Sequence, residues 1–243
     1  MPNPTAAMLT IGDEILSGRT RDSNMPHLAL RLGEMGIDLC EARTVPDVAE
    51  EIVGAINALR ARYDHVFTSG GIGPTHDDIT ADCVAAAFGV GIDVREDARA
   101  ILATNYADPE RDLNPARLRM ARIPDGATLI DNPVSKAPGF TIGNVHVMAG
   151  VPAVFEAMTA GLLPTLTGGR PLLSASRRIE RPEGLLAEPL GALAAAHPEV
   201  SIGCYPFNRD GVFGANIVLR SQDASALAAA EAGLAAMGAA LEA

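Results

Sequence analysis

The sequence predicts an α/β fold, in which a mostly parallel three-layer sheet is followed by a small α+β domain. Short apolar runs alternate with helical patterns in a β-α-β-α-β-α order over about residues 6–163. This order places helices on both faces of a parallel sheet. The pattern changes near residues 167–171, where a Thr-Gly-Gly-Arg-Pro linker precedes a β-α-β-β-α unit. We therefore expect domains at residues 1–168 and 170–243.

The first domain begins with three strand–helix pairs. Buried strands are expected at residues 6–11, 38–45 and 64–69. Helices are expected at residues 23–35, at 47–62 and from about Asp77 or Asp78 to residue 88. Asp22 or Ser23 is expected to cap the first helix and Asp47 the second, because short polar side chains accept hydrogen bonds from free helical amides.

The rest of the chain is expected to continue this alternation. In the first domain, helices are expected at residues 96–106, 115–121 and 152–163, and strands at 127–131 and 145–148. Residues 141–143 are expected to form a turn. In the small domain, strands are expected at residues 172–181, 200–205 and 212–220, and helices at 183–196 and 223–241.

The composition of the chain argues against several classes of function. The net charge of −11 makes nucleic acid and anionic membranes poor partners. The three cysteines, Cys40, Cys83 and Cys204, have no CxxC spacing, so neither a disulfide framework nor a zinc ribbon is expected. We see no signal peptide and no run of about 18 apolar residues. These features predict a cytoplasmic protein without a membrane span.

A glycine-rich loop at residues 70–78, Gly-Gly-Ile-Gly-Pro-Thr-His-Asp-Asp, follows the third strand. Gly70, Gly71 and Gly73 permit close approach of a phosphate to the main chain, and Thr75 adds a hydroxyl donor. Ligands bind beyond the carboxyl ends of parallel strands, which is where this loop lies. The loop lacks the Gly-Lys-Ser/Thr of a Walker A motif and the spacing of a Rossmann fingerprint. A capped strand–helix junction is the alternative explanation.

Two adjacent carboxylates, Asp77 and Asp78, close this loop. Carboxylates repel phosphate, so their presence beside a phosphate site indicates a divalent cation between the two. One of them could also position a water or hydroxyl for attack on phosphorus. We therefore predict that Asp77 and Asp78 are metal ligands and catalytic residues.

Other segments are expected to reach the same sheet edge. Asp13 and Glu14 follow the first strand, Asn24 begins the first long helix, and Gly150 precedes the helix at 152–163. They are candidate ligand contacts, although turn and cap chemistry would also explain them.

A second polar loop, at residues 132–140, contains Ser135 and Lys136. Lys136 is the only lysine among 19 basic residues. It is a candidate phosphate contact, with a solvated loop lysine as the alternative. Ser135 is a candidate contact beside it.

Several motifs occur in the order of a known family. They are Ile-Gly-Asp-Glu-Ile-Leu-Ser-Gly at 11–18, Asp-Ser-Asn at 22–24, the loop at 70–80, Asn-Pro at 132–133, Ala-Pro-Gly-Phe at 137–140 and Gly-Val-Pro at 150–152. Over roughly residues 5–165 the chain resembles the competence/damage-inducible protein A family, in its N-terminal molybdopterin-binding (MoaB/Mog-like) domain. The small domain, with Ser-Ile-Gly at 201–203 and Tyr-Pro at 205–206, resembles the segment that follows in that family.

The resemblance implies a site for a pyrophosphate-containing ligand, use of a divalent metal (Mg, Mn or Co) and a homo-oligomer, either dimer or trimer. Relatives include molybdopterin adenylyltransferases and a domain of eukaryotic FAD synthases, and some members are assigned ADP-ribose pyrophosphatase activity. Our leading expectation is metal-dependent binding and hydrolysis of a nucleotide pyrophosphate. Molybdopterin binding or nucleotidyl transfer, and a non-catalytic ligand-binding module, are the alternatives.

The chain departs from the family pattern at two places in the expected site. Met148-Ala149-Gly150 stands where Leu-Pro-Gly is usual, and Ser135-Lys136 stands where a small pair is usual. These departures are the reason to keep a non-catalytic ligand-binding module among the alternatives. Longer members of the family also carry a C-terminal nicotinamide-nucleotide amidase domain. This chain ends before such a domain, so we expect a short form without that activity.

Overall fold

The computed structural model describes residues 2–209 and 211–242. The chain forms two compact units, with the boundary between Gly169 and Arg170. The larger unit contains these strands: β1 Thr5–Ile11, β2 Asp38–Val45, β3 His65–Ser69, β4 Ile92–Val94, β5 Arg122–Pro124, β6 Thr128–Ile130, β7 Gly139–Ile142 and β8 Val145–Met148. Six of them form one sheet in the order β2-β1-β3-β8-β7-β6, and β4 pairs with β5 apart from it.

Helices cover both faces of the six-stranded sheet. They are α1 Asp13–Leu16, α2 Asn24–Glu34, α3 Ala49–Arg60, α4 Thr80–Phe88, α5 Glu96–Ala103, α6 Pro109–Asp112, α7 Pro115–Leu118 and α8 Pro152–Leu162. On one face, α2 and α8 pack Leu28 and Phe155 against Phe67 of β3. On the other, α3 and α4 pack Ile56 and Val84 in a separate core. Both cores are apolar and fully buried, so the three-layer α/β prediction is confirmed.

The sheet is parallel through β2, β1, β3 and β8, and antiparallel through β7 and β6. The prediction of a turn at residues 141–143 was wrong for Thr141 and Ile142, which belong to β7. Phe140 and Ile142 are buried there, and β7 joins β8 through a hairpin at Gly143, where φ is 55°. Glycines at both ends of this short strand concealed it in the sequence.

Two helix starts differ from the sequence prediction. The helix expected from Asp77 or Asp78 begins at Thr80, because Asp78 accepts hydrogen bonds inside the preceding loop. Asp47 does not cap α3, whose first residue is Ala49; its carboxylate accepts a hydrogen bond from the Asp13 amide instead. A loop carboxylate can accept a hydrogen bond from a helix amide or from an amide of another loop. The fold decides which of these amides lies close to it.

The smaller unit has the predicted β-α-β-β-α order. Its elements are β9 Leu173–Ile179, α9 Glu183–Ala196, β10 Ser201–Arg209, β11 Val212–Ser221 and α10 Ala224–Glu242. The three strands form an antiparallel sheet in the order β10-β11-β9. Ile217 and Leu219 of β11 pack with Leu186 of α9 and Leu234 of α10. This cluster is the core of the unit.

Helix α10 is the one helix in the described residues that is long and apolar enough to cross a membrane. Its segment Ala224–Leu241 has a mean hydropathy of 1.5. Ser225 and Glu231 interrupt this segment, so it is not an unbroken apolar run, and its many alanines raise the mean hydropathy. In the structure, Leu227, Ala230 and Leu234 of α10 are buried in the core of the smaller unit, as expected for a core helix.

Two histidines lie side by side in the sheet of the larger unit. Nε2 of His146 is 3.2 Å from Nδ1 of His65, and Nδ1 of His146 is 3.0 Å from the hydroxyl of Thr141. Burial lowers the pKa of His146 to about 4, and the nearby His65 adds to the effect. Burial also lowers the pKa of His65. Folding therefore favours the neutral form of this pair.

We predict that the larger unit loses stability as the pH falls from about 6.5 to about 4. In that interval the unfolded chain takes up a proton that folded His146 excludes, so the free energy of unfolding should fall by ~3 kcal/mol. Urea unfolding monitored by circular dichroism at a series of pH values measures this loss. His146→Gln should flatten the curve, whereas His76→Gln, at a side chain that is 98% exposed, should not. Equal pH dependence in both variants would contradict the assignment.

Candidate ligand-binding site

Three strand ends converge at one edge of the larger sheet. Thr10 of β1 pairs with Ser69 of β3, and Ser69 pairs with Met148 of β8. The chain passes from β1 to β2 on one side and returns to β3 on the other, so the sheet reverses its winding between β1 and β3. Ligands of open α/β sheets bind at this kind of switch point.

The loops that leave these strands touch through their backbones. A Cβ atom at Gly70 would overlap the carbonyl oxygen of Ile11, and one at Gly150 would lie 3.2 Å from the Cα of Gly70. Gly70 also has a φ of 109°, a conformation that residues with side chains rarely adopt. The three loops can therefore meet only because glycine occupies the contact.

Three consecutive amides of the glycine-rich loop are free. In the part of the chain that the structure describes, the N–H groups of Gly71, Ile72 and Gly73 donate no hydrogen bond. The preceding amide, of Gly70, donates to the carbonyl of Met148. Successive free amides in a turn form a concave nest that binds anions. The loop thus has the chemistry of a phosphate site.

The end of the loop is occupied with its own hydrogen bonds. The amide and hydroxyl of Thr75 both donate to Oδ2 of Asp78, at 2.8 and 2.5 Å. The predicted Thr75 donor therefore points to a carboxylate in this structure. Asp77 is exposed, and its Oδ1 lies 3.9 Å from Nδ1 of His76. A hydrogen bond from the Thr75 hydroxyl also lowers the pKa of Asp77, so Thr75 interacts with both carboxylates.

Asp47 joins the acidic residues of this edge, and the sequence had suggested only a helix cap for it. Its Oδ2 accepts a hydrogen bond of 3.0 Å from the Asp13 amide. Burial raises the pKa of Asp47, and the negative charges of Asp13, Glu14 and Asp77 raise it further. The signal available in the sequence was its position just after β2, a strand that ends at the same edge.

The acidic residues fit a hard divalent cation by donor type, since Mg²⁺ and Mn²⁺ prefer carboxylate oxygens. Within residues 2–209 and 211–242, however, no group of three or more His, Cys, Asp or Glu side chains is arranged as a metal site. The predicted metal role of Asp77 and Asp78 stays a prediction.

A cleft lies on the α2 side of the loop, and we call it the Asn24 cleft. Its polar lining consists of Thr10, Glu14, Thr20, Arg21, Asp22, Ser23, Asn24 and Ser69, with Gly150 at its end. Asp22 accepts hydrogen bonds from the amides of Asn24 and Met25 and from the hydroxyl of Thr10. The N-cap position of α2 is Ser23, and the Asp22 carboxylate satisfies the first two amides of the helix and fixes the wall of this cleft.

A second cleft lies on the α4 side of the loop. Gly71, Gly73 and Asp78 face Arg119, Arg122 and Pro138 across it. Nη2 of Arg119 donates to the carbonyl of Asp78 at 2.9 Å, and Arg122 pairs with Asp82 at 2.8 Å. The sequence did not single out these arginines, because nothing in their spacing sets them apart from the other arginines of the chain.

Ser135 and Lys136 line neither cleft. The hydroxyl of Ser135 accepts a hydrogen bond from Nδ2 of Asn132, which also donates to the carbonyl of Ala137. Lys136 has a φ of 60°, the positive value that strains a residue with a side chain. It forms no ion pair in the described chain. Pro138 of the same loop does line the second cleft. The predicted ligand roles of Ser135 and Lys136 stay predictions.

Residues 7–168 match the family model described as a probable molybdopterin binding domain, which is about two thirds of the chain. The chain belongs to this family. Residues 171–241 match a second model, described as the middle domain of FAD synthase. The molybdopterin-binding domain thus coincides with the larger unit, which contains every residue of the sheet edge described above.

Relatives and a solved structure agree with this assignment. A CinA-like protein of Citrifermentans bemidjiense is 41% identical over 167 residues, which are 67% of this chain and 40% of that protein. A protein of Pyrobaculum calidifontis is 34% identical over 212 residues, which are 84% of this chain and 81% of that protein. The crystal structure of CinA from Thermoplasma acidophilum, a protein of unknown function, aligns with a TM-score of 0.62 and 35% identity, covering 66% of this chain and 96% of that one. This chain thus spans 40% of the length of the CinA-like protein of Citrifermentans bemidjiense, and 51% of the length of another CinA-like protein, from Desulfosudis oleivorans.

We predict that Lys136→Gly is more stable than Lys136→Ala by about 1 kcal/mol. Both variants lose the same charge, but only glycine adopts the positive φ without strain. Thermal unfolding of the two variants measures the difference. A Lys136→Ala variant as stable as Lys136→Gly would show that the loop changes conformation to relieve the strain.

Proposed function

We propose that the larger unit binds a phosphorylated pterin of the molybdopterin type, with its phosphate on the amides of Gly71, Ile72 and Gly73. Family membership supports the class of ligand. The observation that carries the proposal is the nest of three free amides at the switch point of the sheet. An anion bound there would receive hydrogen bonds that the protein itself does not use.

The residues around the nest suit a ligand with two chemically different ends. Arg119 and Arg122 stand on one side of the loop, where they would offset phosphate charge. The Asn24 cleft, on the other side, has a floor of neutral polar groups, Thr10, Asn24 and Ser69. A molecule with an anionic group and an uncharged, hydrogen-bonding ring matches this division.

Asp77 and Asp78 would contribute carboxylate oxygens to a divalent cation whose other ligands come from the bound pyrophosphate, because the described side chains alone form no group of three that could hold it. Bound there, the cation would neutralise negative charge on a pyrophosphate. Asp78 also holds Thr75, which keeps the end of the loop in place. Such an arrangement suits nucleotidyl transfer to the pterin. In that reaction the pterin phosphate forms a bond to the α-phosphorus of ATP while the bond between the α- and β-phosphates breaks and pyrophosphate leaves.

Metal-dependent hydrolysis of a nucleotide pyrophosphate, such as ADP-ribose, is the second candidate function. Asp47 favours it, because a carboxyl group with a raised pKa next to a phosphate site can accept a proton from water. Both candidate functions place the ligand phosphate on the amides of Gly71, Ile72 and Gly73. They differ in the acceptor of the transferred group, which is the pterin in one and water in the other, and in the ring that is bound.

Binding and turnover measured together separate the candidates. The full chain is mixed with molybdopterin, ADP-ribose or FAD, with Mg²⁺, Mn²⁺ or Co²⁺, and with ATP where transfer is tested. We expect molybdopterin to bind and ADP-ribose to remain intact. Cleavage of ADP-ribose without pterin binding would replace the first candidate by the second. Binding of neither ligand under any metal would contradict both. Sedimentation of the same samples tests the proposed dimer or trimer.

We predict opposite effects of Asp77→Asn on binding of inorganic pyrophosphate with and without metal. Without metal, the variant should bind about two- to three-fold more tightly, because an exposed like charge is removed. With Mg²⁺ or Mn²⁺, it should lose the gain in affinity that the wild type shows. Titration calorimetry measures both. Glu231→Gln, in the smaller unit, is the matched control and should behave as wild type; unchanged metal dependence in Asp77→Asn would refute its role as a ligand.

A further inference from the structure

The antiparallel sheet of the smaller unit has one face covered by helices and one open face. Ile217 and Leu219 of β11 pack against α9 and α10, so the alternate residues of each strand lie on the opposite face. We call this opposite face the open sheet face. Its central row, read across the three strands, consists of Tyr205 of β10, Asn216 of β11 and Arg178 of β9. All three residues of this row are exposed.

The ring of Tyr205 lies across the backbone of the sheet. A Cβ atom at Gly203 would come within 2.8 Å of Cε2 and 3.1 Å of Cζ of this ring, so the ring can occupy this position only above a glycine. Tyr205 is nevertheless 48% exposed, because the ring face that points away from the sheet is free. A held aromatic ring with one free face is a stacking surface for another planar ring.

Arg178 provides a second planar group on the same face. Phe207 lies over Gly214, where a Cβ atom would come within 2.5 Å of its Cζ. The guanidinium of Arg178 stacks on Phe207, with its Cζ 4.2 Å from the ring centroid, and its Nη2 pairs with Oε1 of Glu180 at 3.1 Å. The side chain of Arg178 still has 46% of its surface exposed. The ring and the carboxylate thus hold a guanidinium plane that another ring can stack on.

Charge is distributed unevenly between the two layers of the smaller unit. The open sheet face carries Arg178, Arg209 and Arg220, against Glu180 as the one acidic residue among the described residues of this face. The glutamates of α9 and α10 belong to the other layer. The net charge of −11 argued against nucleic acid as a partner of the whole chain. It does not decide the sign of this face, because charges more than about 8 Å away are largely screened at physiological salt.

We propose that the open sheet face binds a single strand of nucleic acid, with one base stacked on Tyr205 and another on Arg178. A polyanion that carries planar rings complements arginines that alternate with exposed aromatic side chains. The Cα atoms of Tyr205 and Phe207, the residue beneath Arg178, are about 7 Å apart. Two bases of one extended strand can therefore reach the two stacking surfaces. This binding site goes beyond the proposed function, since it uses the smaller unit and none of the residues of the sheet edge.

The flat shape of this face explains why the partner is a single-stranded polymer. In a duplex the bases stack on one another, so their faces are not available to Tyr205 and Arg178. A free mononucleotide would bury one ring on one side only, whereas a strand adds several such contacts. The side-chain amide of Asn216 lies between the two stacking surfaces and makes no hydrogen bond within residues 2–209 and 211–242. It is therefore free to donate to, and accept from, the edge of a base.

The test measures binding of labelled oligonucleotides to the full chain by fluorescence anisotropy. The probes are single-stranded RNA and DNA of about ten nucleotides, with a duplex of the same length, inorganic polyphosphate and AMP as competitors. We expect a single strand to bind with a dissociation constant of about 1 to 100 µM and to weaken as salt rises. Tighter binding of RNA than of DNA would identify contacts with the 2′-hydroxyl groups, and equal binding would locate recognition in the bases; either supports the site.

Variants on the two faces of the same strands locate the binding site. Tyr205→Leu keeps an apolar side chain over Gly203 but removes the ring, and it should weaken binding about ten-fold, while Tyr205→Phe should bind as wild type. Arg178→Gln should weaken binding and also reduce its salt dependence. The matched controls are Phe213→Ala, at an aromatic residue that is 58% exposed on the other face of β11, and Arg177→Gln, at the neighbouring arginine on the other face of β9. Both controls should bind as wild type.

Several outcomes would overturn the site. They are the absence of binding to any single strand, unchanged binding in both Tyr205→Leu and Arg178→Gln, and equal losses in the two controls. Competition by the duplex or by polyphosphate as strong as that by the single strand would reduce the effect to attraction of anions. Competition by AMP of equal strength would show that the face takes a single nucleotide. Inorganic pyrophosphate should not compete; if it does, the strand lies on the amide nest of the larger unit and the inference is wrong.

Discussion

The backbone contact among Gly70, Ile11 and Gly150 is the constraint on which the site depends. It brings the ends of β1, β3 and β8 within van der Waals distance, because no side chain separates them at Gly70 or Gly150. With the loops this close, Asn24 can reach from α2 to Ser69 and to Gly150 at once. The Asn24 cleft lies beside this contact, since Ser69 and Gly150 are among the residues that line it.

Some polar groups around this contact have hydrogen-bond partners within the protein, and others have none. Asp22, Thr75 and Asp78 use their hydrogen-bonding capacity to hold loops in place. The amides of Gly71, Ile72 and Gly73 and the amide oxygen of Asn24 are unused. Groups with hydrogen-bond partners thus neighbour the candidate ligand-binding groups along the same loops, and they hold these candidate groups in place. This preorganisation lowers the conformational cost of binding.

Charge is distributed unevenly at this edge of the sheet. Burial and the charges of Asp13, Glu14 and Asp77 disfavour the ionised form of Asp47. Arg119 and Arg122 lie across the loop. An anionic ligand therefore meets attraction from one side and repulsion from the other. A divalent cation would remove the repulsion, which is why the cation and the phosphate are proposed together. The acidity of the whole chain, with its net charge of −11, does not decide this local balance.

The sequence by itself determined the alternation of strands and helices, the glycine-rich loop at the end of β3 and the family motifs. These follow from local periodicity, turn chemistry and residue order, which need no knowledge of distant contacts. It could not assign Asp47, which looked like a cap, or β7, whose flanking glycines suggested a turn. It also could not show that Ser135 and Lys136 stand outside the clefts while Asp22, Ser69 and Arg119 line them. Only the tertiary structure decided these points, because whether a polar atom is paired or free depends on partners that lie far away in the chain.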